Sequence, residues 1–159
     1  MLFVPTIAAA ATVSWCAKDP TTPVGQIGTP ERVFKVLTDA EAYPRWVVGA
    51  KQIRAVDAGW PAPGTAFHHS VGAGPASLDD ATTVVELDSP RRMVLKGRAR
   101  PLGTMAIVLD VRRAGDDTEI TITENGEVYN PIFKFVSRFI IGHYGSIDDY
   151  LEGLKKVVR

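Results

Sequence analysis

Three histidines, one cysteine and a few placed carboxylates hold whatever chemistry this 159-residue chain can perform. His68 and His69 are adjacent. Neighbours on a β-strand point to opposite faces, so one strand cannot present both imidazoles to a single ion, and His143 stands alone much later in the chain. No metal and no other cofactor is expected from such a set. The lone Cys16 excludes an internal disulfide framework. The sequence has no G-x-S-x-G elbow, no glycine loop ending in Lys-Ser/Thr, no Cys-x-x-Cys and no H-E-x-x-H. If Phe67 and Val71 face an interior, His69 faces it too and His68 meets solvent. An inward imidazole can act as a general acid or base, or simply hydrogen-bond a ligand. Glu124 is the second candidate. It shares the alternation of Ile120 and Ile122, and an inward carboxylate must be hydrated or paired; otherwise it is a turn residue ahead of Asn125-Gly126. The catalytic assignment is thus open, with His69 and Glu124 as its candidates. Asp79-Asp80 and Asp148-Asp149 are expected to be solvated charges, because adjacent side chains diverge on a strand and on a helix alike.

These residues belong to a chain whose charges balance, with 18 Lys plus Arg against 18 Asp plus Glu, and whose composition is 45% hydrophobic. That composition suits one ordinary core that needs neither disulfides nor a structural metal. Phosphate binding draws on a surplus of Lys and Arg, so no nucleic acid partner is expected. Nor is stable membrane insertion. Met1 to Ala17 is uncharged, but Pro5 and the small residues from Ala8 to Thr12 weaken a membrane span, and the basic n-region of a secretory signal is missing. The segment reads best as an edge strand over Thr6 to Trp15, with a cleaved signal as the alternative. The expected location is cytoplasmic and the expected state a monomer or weak dimer.

Positioning falls to the elements that follow the Pro/Gly-rich connector Asp19 to Gly28. Thr29-Pro30-Glu31 is a helix start: a capping hydroxyl, a proline for the first turn and an acid for the positive end of the dipole. This helix is expected to end near Asp39, with a second short one over Ala40 to Trp46 interrupted by Pro44. From Lys51 the period becomes two. Strands are expected over Lys51 to Asp57, Thr65 to Val71, Ala81 to Leu87, Met93 to Ala99, Met105 to Arg113 and Thr118 to Glu124, with Gly, Pro and Asp between them. One face is oily, carrying Leu95, Ile107, Leu109 and Ile122. After Asn130-Pro131 the apolar residues recur at steps of three and four to the C-terminus, predicting an amphipathic helix of about 28 residues and ~42 Å.

The order is α+β, and only the last helix is long enough to cover the oily face of a seven-stranded antiparallel sheet. Wrapping a twisted sheet around a helix tends to leave a cavity between them. The segments TPERVFKVLTDAEAYPRW, WPAPGTAFHH, VVELDSPRRMVLKGRARPLG and ITENGEVYNPIFKFVSRFIIGH with SIDDYLEGLKK resemble the START-like (SRPBCC) superfamily, and within it the polyketide cyclase/dehydrase and lipid-transport group. The resemblance covers roughly residues 29 to 158. It implies the helix-grip fold, with residues 1-28 as an apolar segment, edge strand and connector and residues 29-159 as the ligand-binding domain. It departs from the family pattern over Cys16 to Gly28, where the first strand ordinarily runs almost directly into the helix.

The resemblance also implies a small hydrophobic partner, a lipid, polyketide or similar molecule, held between sheet and helix. Residues expected to line its site are Trp46, Phe67, His69, Leu95, Ile107, Leu109, Ile122, Glu124, Phe139, His143 and Tyr144. A non-enzymatic binding protein is the leading expectation. The alternatives are a polyketide aromatase/cyclase or dehydratase in which His69 or Glu124 moves a proton, and a co-chaperone-like module that takes a protein segment into the groove.

Overall fold

A computed structural model describes residues 11–15, 29–47, 49–72, 77–99, 103–115, 117–128 and 147–158. Its framework is one antiparallel sheet built from strands β1 (Ala11–Trp15), β2 (Ala50–Val56), β3 (Ala66–Val71), β4 (Leu78–Asp88), β5 (Arg92–Ala99), β6 (Gly103–Ala114) and β7 (Asp117–Val128). The spatial order is β1-β7-β6-β5-β4-β3-β2, so β2 to β7 form an uninterrupted meander and β1 returns to close the far edge beside β7. The strand expected over Thr6 to Trp15 is described only from Ala11, where its backbone pairs with β7 from Glu124 to Ile120.

Helix α1 (Pro30–Leu37) begins as its residues dictate. The Thr29 hydroxyl accepts from the Arg32 amide at 3.4 Å and Pro30 occupies the first turn. Val33, Phe34 and Leu37 form its buried stripe, and at its end the Thr38 hydroxyl donates to the Phe34 carbonyl at 2.9 Å. The second helical segment differs from the single interrupted helix expected: a 3-10 turn over Ala40–Ala42, capped by the Asp39 carboxylate on the Glu41 amide, leads into α2 (Tyr43–Trp46). Pro44 lies in the first turn of α2. It therefore starts that helix instead of breaking one, since a first-turn amide has no intrahelical acceptor to lose.

Two strands run longer than their sequence signals. Strand β4 begins at Leu78, three residues before Ala81, because Leu78, Asp79 and Asp80 pair with Val71, Ser70 and His69. Strand β7 does not end at Glu124. Asn125 and Gly126 continue the ladder opposite Ala106 and Met105, so the reading of Glu124 as a turn residue is overturned by register.

The last described element is α3 (Ile147–Val158), with Leu154 and Val158 buried against the rest. It packs on α1, on α2 and beside β1. The remainder of the long helix expected after Asn130, including Phe139, His143 and Tyr144, lies outside the described residues. One core joins Val33, Phe34, Leu37, Tyr43 and Trp46 of the helical segments to Phe67, Val84, Met93, Leu95, Leu109, Val111, Ile120 and Ile122 of the sheet, with Leu154 and Val158 from α3. Sheet, helix pair and C-terminal helix together are the helix-grip arrangement.

Candidate functional site

The inner face of the sheet is laid out in rows by cross-strand register. Met93, Leu109 and Ile122 form one row, and Leu95, Ile107 and the Glu124 position form the next. Phe67, Thr82, Gly97 and Met105 form a third. Leu95, Leu109 and Ile122 are buried, and Ile107 is partly buried against them. Gly97 leaves the floor beside Thr82 without a side chain.

Above the third row the aromatic residues meet. The Tyr43 ring lies 4.7 Å from that of Trp46 and 4.5 Å from that of Phe67, both tilted. Trp60 meets Phe67 edge-on at 5.0 Å, and its indole N–H donates to the Thr38 carbonyl at 2.7 Å, which ties the β2–β3 connection to the end of α1. Phe67 in turn faces the His69 ring at 5.1 Å. These contacts form a run from α2 to β3. Tilted aromatic pairs at such spacing add modestly to the burial that holds them.

His69 is the polar end of that run. Strand alternation puts it on the face of Phe67 and turns His68 outward, where His68 Nε2 lies 3.1 Å from Asp57 Oδ1. His69 is 7% exposed, and its Nε2 is 3.0 Å from the hydroxyl of Thr82, itself buried. Burial pushes the His69 pKa down to about 4, with repulsion from Arg54 and His68 adding to the effect. The ring is therefore neutral at physiological pH. Its other nitrogen, Nδ1, is buried without a hydrogen-bond partner, and so is the indole Nε1 of Trp46 at the opposite end of the run. A buried polar atom without a partner is uncommon, because it has lost water and gained nothing in exchange.

Basic side chains are kept off the middle of this face, whose acidic positions are Asp80 and Glu124. Arg54 reaches across the sheet to Asp79 at 3.3 Å and to the His69 and Asp80 carbonyls, while Ser70 donates to Asp79. A groove of about 400 Å³ on the outer face is lined by Asp88, Arg91, Arg92, Asp110, Val111, Arg112 and Thr121. Its charges are already matched: Arg92 contacts Asp110 at 2.7 Å, Arg91 contacts Asp88 at 2.9 Å, and Arg112 contacts Glu119 at 2.7 Å. That groove offers little to an apolar guest. Among the described residues no group of three or more His, Cys, Asp or Glu converges as metal ligands would. Nor is any helix among them long and apolar enough to cross a membrane.

Of the side chains named from sequence, Trp46, Phe67, His69, Leu95, Ile107, Leu109 and Ile122 share this interior. Glu124 is placed by its backbone on the inner-face row of Leu95 and Ile107. Sequence reasoning missed Thr82, whose signal was its inward slot two residues before Val84. It also missed the solitary nitrogen of Trp46, which no local pattern encodes.

A family profile described as polyketide cyclase/dehydrase and lipid transport matches residues 28–159. Comparison with curated protein sequences returns no match. Among solved structures, the chain is similar to the Mll3558 protein from Rhizobium loti, at 18% identity and a TM-score of 0.67 over 96% of this chain and 98% of that one. Ara h 8.0201 is similar at 11% identity and a TM-score of 0.59, over 94% of this chain and 97% of that one. The di-domain ARO/CYC StfQ from the steffimycin biosynthetic pathway is similar at 11% identity and a TM-score of 0.62, with 92% of this chain covering 50% of that one.

Proposed function

The chain belongs to the polyketide cyclase/dehydrase and lipid-transport family, and from that premise we propose that it binds a small hydrophobic molecule between its sheet and its C-terminal helix. The observation that carries this reading is the aromatic run from Trp46 to His69, buried yet ending at both sides in ring nitrogens that no protein group engages. Binding would draw on apolar burial, at ~25 cal/mol per Å² of ligand surface as the upper scale, with orientation supplied by the few polar atoms.

A role in turnover has less support from His69. General acid or base catalysis works best when the pKa lies near the working pH, and a ring held at about 4 has no proton to deliver at neutrality. His69 is better suited to accept or donate one fixed hydrogen bond. Cyclisation or dehydration would then depend on Glu124, whose backbone stands on the inner-face row.

Native mass spectrometry and organic extraction of protein purified from its own host test the proposal. A small apolar molecule recovered in repeated preparations is the expected result. Protein that is empty each time and leaves the neutral dye Nile red in water would overturn it.

A further inference from the structure

The interior is selective in a way that apolar burial alone does not provide, and this inference rests on the binding reading above. Two buried nitrogens face no protein partner: Trp46 Nε1 carries a hydrogen and can only donate, while His69 Nδ1 donates or accepts according to which tautomer the Thr82 hydroxyl selects. Trp46 therefore requires an acceptor on the ligand. A hydroxyl or carbonyl oxygen on the ligand satisfies Trp46, and a second polar atom toward the other end of the run satisfies His69.

The second observation concerns charge. Along the inner-face register of β2 to β7, from Ile53 through Phe67, Thr82, Leu95, Ile107 and Ile122, the described strands place no Lys or Arg until Arg113. Arg113 is exposed at the end of β6, near Glu31 of α1. The same register holds the acidic positions Asp80 and Glu124. His69 adds no positive charge, since its ring stays neutral. A carboxylate brought onto this face would lose its hydration and find no Lys or Arg on the described inner-face positions short of Arg113, a large penalty for a buried ion.

We propose that the site discriminates by charge, taking electrically neutral, oxygen-bearing apolar molecules such as alcohols, phenols or ketones and rejecting carboxylates of the same size and shape. Trp46 is the residue that reads the oxygen, His69 takes a second polar group, and the lack of a central Lys or Arg on the described inner face of the sheet is what disfavours the acid.

Displacement of Nile red by three size-matched probes, naphthalene, 2-naphthol and 2-naphthoate, at neutral pH tests this. The expected order is 2-naphthol tightest, naphthalene about fivefold weaker for want of one hydrogen bond, and 2-naphthoate at least tenfold weaker than 2-naphthol. In Trp46→Phe, the preference for 2-naphthol over naphthalene should disappear, the ratio of their affinities falling to about one. Native protein that binds 2-naphthoate as tightly as 2-naphthol, or 2-naphthol no tighter than naphthalene, overturns the proposal and leaves the general binding reading intact. If Nile red and all three probes fail to bind, both readings fall. The native-protein ratios decide the matter even if Trp46→Phe does not fold.

Discussion

His68 and His69 are the same residue type, one peptide bond apart, and they live in different solvents. His68 stands half-exposed beside Asp57, whose carboxylate also accepts the Ala66 amide at 2.9 Å; those two contacts hold the Asp57 pKa below its ordinary value. His69 is walled in by Phe67 and Thr82, and its pKa is pushed down to about 4. The outer face holds its polar groups by pairing charges across strands, whereas the interior around His69 holds neutral groups and leaves two ring nitrogens, one on β3 and one on α2, without partners. At His68 and His69 the sheet is thus a partition between ionic and neutral chemistry, set by the period of two in its strands.

The comparison breaks most visibly if an inner aromatic is removed. Phe67 is fully buried and touches Tyr43, Trp60 and His69, so Phe67→Ala should cost about 3–5 kcal/mol in urea unfolding. A near-neutral result would mean that the aromatic run is not part of the packed interior.

The next largest effect is a pH dependence. A histidine whose folded pKa lies below its unfolded value of 6.5 binds its proton first in the unfolded chain, so stability is full above that value and declines as pH falls toward 4. The expected loss is about 2–3 kcal/mol across this window, measured by denaturant melts at stepped pH. His69→Gln should remove most of the slope. Asp57, with its pKa lowered, acts in a different window: its contribution is present above its unfolded value of 3.8 and is lost only as pH falls through its still lower folded value. Asp57→Asn should therefore lower stability by a constant amount above about pH 5 and leave the slope there unchanged.

A smaller effect tests the hydrogen bond behind the partition. Thr82→Val keeps the shape but removes the partner of His69 Nε2, and should cost about 1–3 kcal/mol. On the other side of the sheet, Val85 is 55% exposed, and Val85→Thr should change stability by no more than about 0.5 kcal/mol. Equal costs at Thr82 and Val85 would erase the distinction between the faces.

Much of this partition is legible in the sequence because alternation is a local property. The facing of Phe67, His69, Leu95 and Leu109 follows from period two and needs no knowledge of the fold. Element ends are less legible, because they depend on partners. Asn125-Gly126 is a strong local turn signal, yet it continues β7 because β6 already offers a paired strand back to Gly103. Leu78 to Asp80 lack a strong strand pattern, and are drawn into β4 by pairing with β3 and by the contacts of Asp79 with Ser70 and Arg54. The unpaired nitrogen of Trp46 is the least legible feature, since the absence of a partner is a property of the whole packing.

The seat of the C-terminal helix carries a final consequence. A methyl group at Gly153 would stand 2.9 Å from the Cα and the carbonyl oxygen of Trp46, and main chain cannot swing aside as a side chain does. The clearance between α3 and α2 is thus gauged by a single hydrogen atom. Any bulkier residue there acts as a wedge beneath Trp46, prising the jaws of the grip apart at their base. The depth to which the helix sinks, and with it the room left above the sheet, is calibrated at a position that never has to touch the guest.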